Sequence, residues 1–127
     1  SDVCSSDLVK VMDAVHASAF DVSTTSFGRF CRDEGDIVWL GLKYPEALNE
    51  IYHVIKDGLA TEGVVLKDRN RRFKAHLTMG RKVRGFDTAA KSFRTSMHVD
   101  GISLMRSDRI NGKLTYTEIY KKRLTSQ

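Results

Sequence analysis

His76 and Thr78 are the residues whose types and spacing are best suited to chemistry. They fall in the segment FKAHLTMGR, Phe73 to Arg81, where Phe73, Ala75, Leu77 and Met79 alternate with Lys74, His76 and Thr78. Alternation of this kind marks a strand with one apolar and one polar face. Residues i and i+2 of a strand stand about 6.5 Å apart with parallel side chains, so an imidazole and a hydroxyl so placed reach one phosphate. An imidazole ordinarily titrates at about pH 6.5 and can exchange a proton near neutrality. The hydroxyl can donate to a non-bridging oxygen, and Arg81, just past the pair, can offset phosphoryl charge. By itself H-x-T is a weak signal, because the pattern recurs by chance and a lone strand histidine is more often packed or simply solvated.

The surroundings strengthen it. Basic residues gather on both sides of His76, in KDRNRRFK (Lys67 to Lys74) and RKVR (Arg81 to Arg84). Arg72, Lys74 and Arg81 are thereby the cations nearest in sequence for a phosphate or RNA ligand. Over the whole chain, 21 Lys and Arg against 16 Asp and Glu leave a net charge of +5, which favours polyanionic partners.

The other chemistry-bearing residues form no such constellation. His16-Ala17-Ser18 matches H-x-S in form but follows an amphipathic stretch and reads as a solvated helix end. His53 falls on the exposed side of a helix by its period. His98 shares a strand face with Ser96 and Asp100, a polar sheet surface able to line a groove. Asp33, Glu34 and Asp36 read as turn residues, and no paired carboxylates stand at glycosidase or metal-site spacing. Cys4 and Cys31 make no CxxC pair or zinc-type cluster, and a reduced, cytoplasmic setting is the expectation. No metal and no cofactor is expected. No P-loop, GxGxxG or nucleophile elbow occurs.

Elements must position the histidine strand. Leu8 to Ala19 reads as a helix from Leu8, Val11, Met12 and Val15. Phe20 to Phe27 alternates as a strand that Gly28 ends. Arg32 to Asp36 is a polar turn, and Ile37 to Leu42 a continuous apolar strand. Pro45 suits a helix start, and Leu48, Ile51, Tyr52, Ile55 and Leu59 share one face of a helix that stops near Gly63. Val64 to Leu66 reads as a short extended piece and Lys67 to Arg72 as a basic loop. Thr88 to Phe93 reads as a short helix. Thr95 to Met105 reads as a strand bulged at Asp100-Gly101, and Asn111-Gly112 as a hairpin turn before Leu114 to Tyr120. The fold class expected is α+β, with a mostly antiparallel sheet and helices packed on one face.

At 127 residues, with 41% hydrophobic and 29% charged residues, the chain suits one globular domain rather than a disordered segment. No apolar run is long enough to span a membrane as a helix. Residues 1–8, SDVCSSDL, have neither an initiator Met nor the pattern of a secretory signal, and are expected not to belong to the native domain.

From Phe20 to Tyr120 the sequence resembles the C-terminal half of the 2H phosphoesterases, in the branch of bacterial and archaeal RNA 2',3'-cyclic phosphodiesterases, also called 2'-5' RNA ligases. The pieces occur in the family's order: FGRF (Phe27 to Phe30), VWLGL (Val38 to Leu42), the helix of Leu48, Ile51 and Ile55, Arg72-Phe73, HLTMGR (His76 to Arg81), ISLMRS (Ile102 to Ser107), and a last strand with Gly112 and Tyr116. The resemblance implies a bilobal α+β fold in which each lobe brings one H-x-T/S motif to a central groove. It implies a metal-independent reaction, with one histidine as general base and the other protonating the leaving ribose oxygen. His76 becomes the second catalytic histidine, Thr78 its phosphate-binding partner, and Arg81 a phosphate contact. The ligand implied is RNA or a nucleotide with a 2',3'-cyclic phosphate end, opened to a 2'-phosphate, with 2'-5' joining as the reverse.

On this reading residues 9–127 are the C-terminal portion of such a domain, with the first H-x-T/S motif missing. The 127-residue chain is then expected to be weak or inactive and to self-associate through exposed strand edges. The competing reading is a non-catalytic RNA- or nucleotide-binding module using Arg69, Arg71, Arg72, Lys74 and Arg81.

Overall fold

The structure is a computed structural model that describes residues 5–43, 45–64 and 73–126. Among these, two helices and six strands follow the order α1 (Ser5–Asp13), β1 (Phe20–Phe30), β2 (Asp36–Lys43), α2 (Glu46–Thr61), β3 (His76–Val83), β4 (Ser96–Val99), β5 (Gly101–Ile110) and β6 (Lys113–Arg123). The class is α+β, and β1 with β2, β2 with β3, and β5 with β6 pair antiparallel. The chain divides into two compact units. One comprises Ser1–Phe20, Glu46–Arg71 and Val99–Gln127, the other Asp21–Pro45 and Arg72–His98.

The first unit holds both helices and the β5–β6 hairpin. Val11, Met12, Val15, Ala19, Ile51 and Leu124 are buried in it. Asp7 in the first turn of α1 and Lys10 in its last complement the helix dipole. The helix expected to reach Ala19 stops at Asp13. Beyond it the backbone is recruited by the chain's C-terminal segment: Ala19 N donates to Thr125 O at 2.7 Å and Thr125 N to Ala17 O at 3.0 Å. That pairing, a parallel bridge between Ser18 and Thr125, satisfies groups that a longer helix would have used internally. Helix α2 starts directly after Pro45 and ends before Gly63, whose φ of 81° suits a helix terminus. Asn111 and Gly112 both have positive φ, 51° and 77°, the geometry of a tight two-residue hairpin turn between Ile110 and Lys113.

The second unit is built on a four-stranded sheet of order β3-β2-β1-β4. Its interior strand β2 buries Val38 and Leu40, the latter 1% exposed. Strand β1 runs on past Gly28 to Phe30, so Gly28 does not end it. The expected helix at Thr88 to Phe93 is absent. Six residues cannot hold a helix without packing, and Thr24 binds the end of this segment instead. The buried Thr24 hydroxyl donates to Phe93 O at 2.7 Å, and Thr95 N donates to the same hydroxyl at 2.9 Å. The expected strand Thr95 to Met105 is divided at Asp100 into β4 and β5, which belong to different sheets. Val65 and Leu66, the basic loop Lys67 to Arg72, and Cys4 lie outside the described residues.

Candidate active site

Strand β2 sets the site because it pairs with β1 on one side and β3 on the other. In these ladders Gly41 lies opposite His76, Trp39 opposite Thr78, Gly28 opposite Trp39, and Phe30 opposite Ile37. Directly opposed residues share a face. One face of the sheet therefore carries His76 and Thr78 from β3, Ile37, Trp39 and Gly41 from β2, and Gly28 and Phe30 from β1. We call it the histidine face.

His76 is exposed yet oriented. Its Nδ1 lies 2.7 Å from the Lys74 carbonyl oxygen. A carbonyl can only accept, so Nδ1 carries the proton that is donated. In the neutral ring the other nitrogen, Nε2, then carries the lone pair. The ring stands edge-on to Phe30, at 5.4 Å and 90°, and tilted to Trp39, at 6.1 Å and 58°. Phe30 and Trp39 contact each other at 5.4 Å. Edge-on and tilted aromatic pairs of this kind each contribute about 0.5–1.5 kcal/mol beyond area burial.

Trp39 is the floor of this cluster, and Gly28 makes room for it. A Cβ on Gly28 would stand 2.2 Å from the indole Cη2. The glycine in β1 thus admits a close side chain, a use glycine often has within strands. The Lys74 ammonium stands 4.8 Å from the Trp39 ring centroid, a cation–π contact. Among the described residues the buried Trp39 Nε1 has no hydrogen-bond partner, and ring contacts hold the indole.

His76 and Lys74 meet through the backbone carbonyl, and Thr78 is exposed on the same face as His76. Arg81 is exposed on β3 beyond an irregularity, since Trp39 pairs with Thr78 but Val38 with Gly80. Met79 is therefore an extra residue without an opposite partner, and the alternation expected to run through it is interrupted. Met79 and Leu77 are 56% and 37% exposed. Arg72, like Arg69 and Arg71, lies outside the described residues.

The other histidines are also placed. His16 is exposed in the extended run after α1, not at a helix end, and lines a groove with Ser18, Glu50 and Thr125. His53 is exposed and edge-on to Tyr52. His98 binds Asp21, with Nδ1 2.7 Å from the carboxylate. Among the described residues, no group of three or more His, Cys, Asp or Glu is arranged to hold a metal ion. No described helix is long and apolar enough to cross a membrane.

The 2'-5' RNA ligase superfamily model matches residues 5–111. The chain belongs to this superfamily. The match takes in the whole histidine face, from Gly28 to Thr78. Solved structures share the fold of this superfamily member. Escherichia coli LigT in complex with 3'-AMP is 21% identical, with a TM-score of 0.76 over 97% of this chain and 71% of its own. A phosphoesterase structure is likewise 21% identical, with a TM-score of 0.77 over 97% of this chain and 71% of its own. The TT0787 protein of Thermus thermophilus is 17% identical, with a TM-score of 0.72 over 100% of this chain and 75% of its own. No curated protein matches the sequence.

Sequence reasoning missed the Phe30–Trp39–Gly28 support beneath His76. Its signal was present in the two strand motifs FGRF and VWLGL, which place a glycine in one strand and the single tryptophan in the next.

Proposed function

We propose that this chain acts on RNA or nucleotide ends that carry a 2',3'-cyclic phosphate, opening the ring to a 2'-phosphate. Water adds to phosphorus, the bond to the 3' oxygen breaks, and one proton passes from the water to a base while another reaches the leaving oxygen. His76 carries one of these two transfers through Nε2. Joining of 2'-5' ends is the same ring opening with a 5'-hydroxyl in place of water, and its reversal re-forms the cyclic phosphate.

The observation that supports this best is the His76–Lys74 hydrogen bond, because it fixes which ring nitrogen faces a ligand. Thr78, on the same face, holds a non-bridging oxygen, while Lys74, Arg81 and Arg72 supply positive charge. The superfamily match supports a phosphoesterase or ligase reaction. Solved complexes of E. coli LigT with 3'-AMP, NADP+ and ATP support a nucleotide ligand. The second histidine comes from the family resemblance, and the 127 residues tested alone should turn over slowly for want of it.

The test is hydrolysis of a nucleoside 2',3'-cyclic phosphate by the 127-residue protein, alone and as His76→Ala. The expected result is slow turnover that the substitution lowers by about 10²–10⁴-fold. Turnover unchanged by His76→Ala overturns the site. Absent turnover, with steeply salt-dependent RNA binding that His76→Ala leaves intact, selects the binding-module reading. Light scattering belongs in the same experiment. Among the described strands β3 is an edge of its sheet, which supports self-association bringing two copies of His76 together.

A further inference from the structure

The histidine face does not end at His76. The extra residues in the two ladders lie in β1 and β3 rather than in β2, so Lys43 follows Trp39 and Gly41 on the same side. Lys43 lies opposite Ser23 of β1, which puts Ser23 and, two residues earlier, Asp21 on this side as well. Together with Val22, Pro45 and Ser96 of β4, these residues line an open groove of about 250 Å³. His98, two residues after Ser96, binds the Asp21 carboxylate at 2.7 Å.

The register gives the scale. Lys43 stands one strand over and two residues along from the position opposite His76, about 8 Å away. Asp21 stands two strands over and about four residues along, about 16 Å away. A single nucleotide seated on His76 does not span that distance, whereas an oligonucleotide does.

The groove's chemistry suits a ribose-phosphate chain. Lys43 offers a point charge for a backbone phosphate. The Ser23 and Ser96 hydroxyls can donate or accept. Asp21 repels phosphate but accepts hydrogen bonds from ribose hydroxyls, and the 2'-hydroxyl is the group that separates RNA from DNA. His98 holds that carboxylate in place. The groove thus offers one cation for a backbone phosphate and one carboxylate for a ribose hydroxyl.

We propose that the groove of Asp21, Ser23, Lys43 and Ser96, with His98 on Asp21, holds the part of an RNA strand lying beyond the terminal nucleotide at His76. This inference rests on the cyclic-phosphate reading and names its substrate class, an oligonucleotide rather than a free nucleotide.

The test is a binding measurement that needs no turnover. Fluorescence anisotropy with the 127-residue protein uses a short RNA ending in a 3'-phosphate, its all-DNA counterpart, and a competing nucleoside 3'-phosphate. Lys43→Gln should weaken the RNA by about tenfold and flatten the dependence of log affinity on log salt by about 0.7. Asp21→Ala should erase the preference for RNA over DNA. Affinity for the nucleoside phosphate should hold in both variants, and thermal melts confirm that each is folded.

Oligonucleotide affinity unchanged in both variants overturns the proposal, as does equal weakening of oligonucleotide and nucleotide. Failure of the cyclic-phosphate reading looks different. It leaves the groove variants' binding losses intact while no cyclic phosphate is turned over.

Discussion

The Nδ1 nitrogen of His76 lies 2.7 Å from the carbonyl oxygen of Lys74, so the imidazole is oriented by the backbone two residues before it. The acceptor is main chain, and the identity of side chain 74 does not matter to it. Lys74 makes its side-chain contact elsewhere, over the Trp39 ring.

These two roles separate by mutation. Lys74→Ala should leave the His76 ring orientation and kcat close to wild type while raising KM a few-fold, since only a cation is lost. Nitrogen NMR of the imidazole should report the same Nδ1-protonated tautomer in both proteins. A changed tautomer in Lys74→Ala would show that the side chain, not the carbonyl, orients the ring.

Gly28→Ala tests the floor of the site. Its new methyl would fall 2.2 to 2.7 Å from three atoms of the Trp39 ring, so the indole must move. Overpacking of this sort costs about 1–3 kcal/mol. Because the sequence holds one tryptophan, fluorescence reports this spot alone. The expected result is a lowered Tm, a shifted emission maximum and reduced turnover. A variant with wild-type melt and emission would contradict the packing described here.

A pH dependence of stability arises within the first unit, between β6 and the end of α1. The Tyr120 hydroxyl donates to the Asp13 carboxylate, and Lys122 Nζ reaches Asp13 O at 3.3 Å. The hydrogen bond to Asp13, then desolvation, then the carboxylate's charge raise the Tyr120 pKa above its ordinary 10.0. A raised pKa means that the folded state holds the phenol proton more tightly than the unfolded chain. The associated stability is complete below pH 10.0 and is lost as pH rises from there through the raised value. Urea unfolding between about pH 8 and 11 should show a steeper alkaline loss for wild type than for Tyr120→Phe. Parallel curves would mean that the hydroxyl bond does not form in solution.

Much of this was written in local sequence. The alternation around His76 set H-x-T on a strand, Pro45 and Gly63 bracketed α2, and Asn111-Gly112 specified the hairpin turn. Each rests on short-range physics: side-chain period, a missing N–H, a positive φ. The α1 boundary and the segment from Thr88 to Phe93 were not legible in the same way. Thr125 captures the chain after Asp13, and the Thr24 hydroxyl captures Phe93 and Thr95, both across long stretches of sequence.

The sequence alone determined the family, the strand that bears His76 and Thr78, and the basic character around them, because residue type and spacing encode these directly. Only the tertiary structure decided what stands beside the histidine. Register across β1, β2 and β3 brought Phe30, Gly28 and Trp39 to its face, and the same register carried that face on to Lys43 and Asp21. Strand pairing joins residues distant in sequence by backbone hydrogen bonds, whose partners no local pattern names.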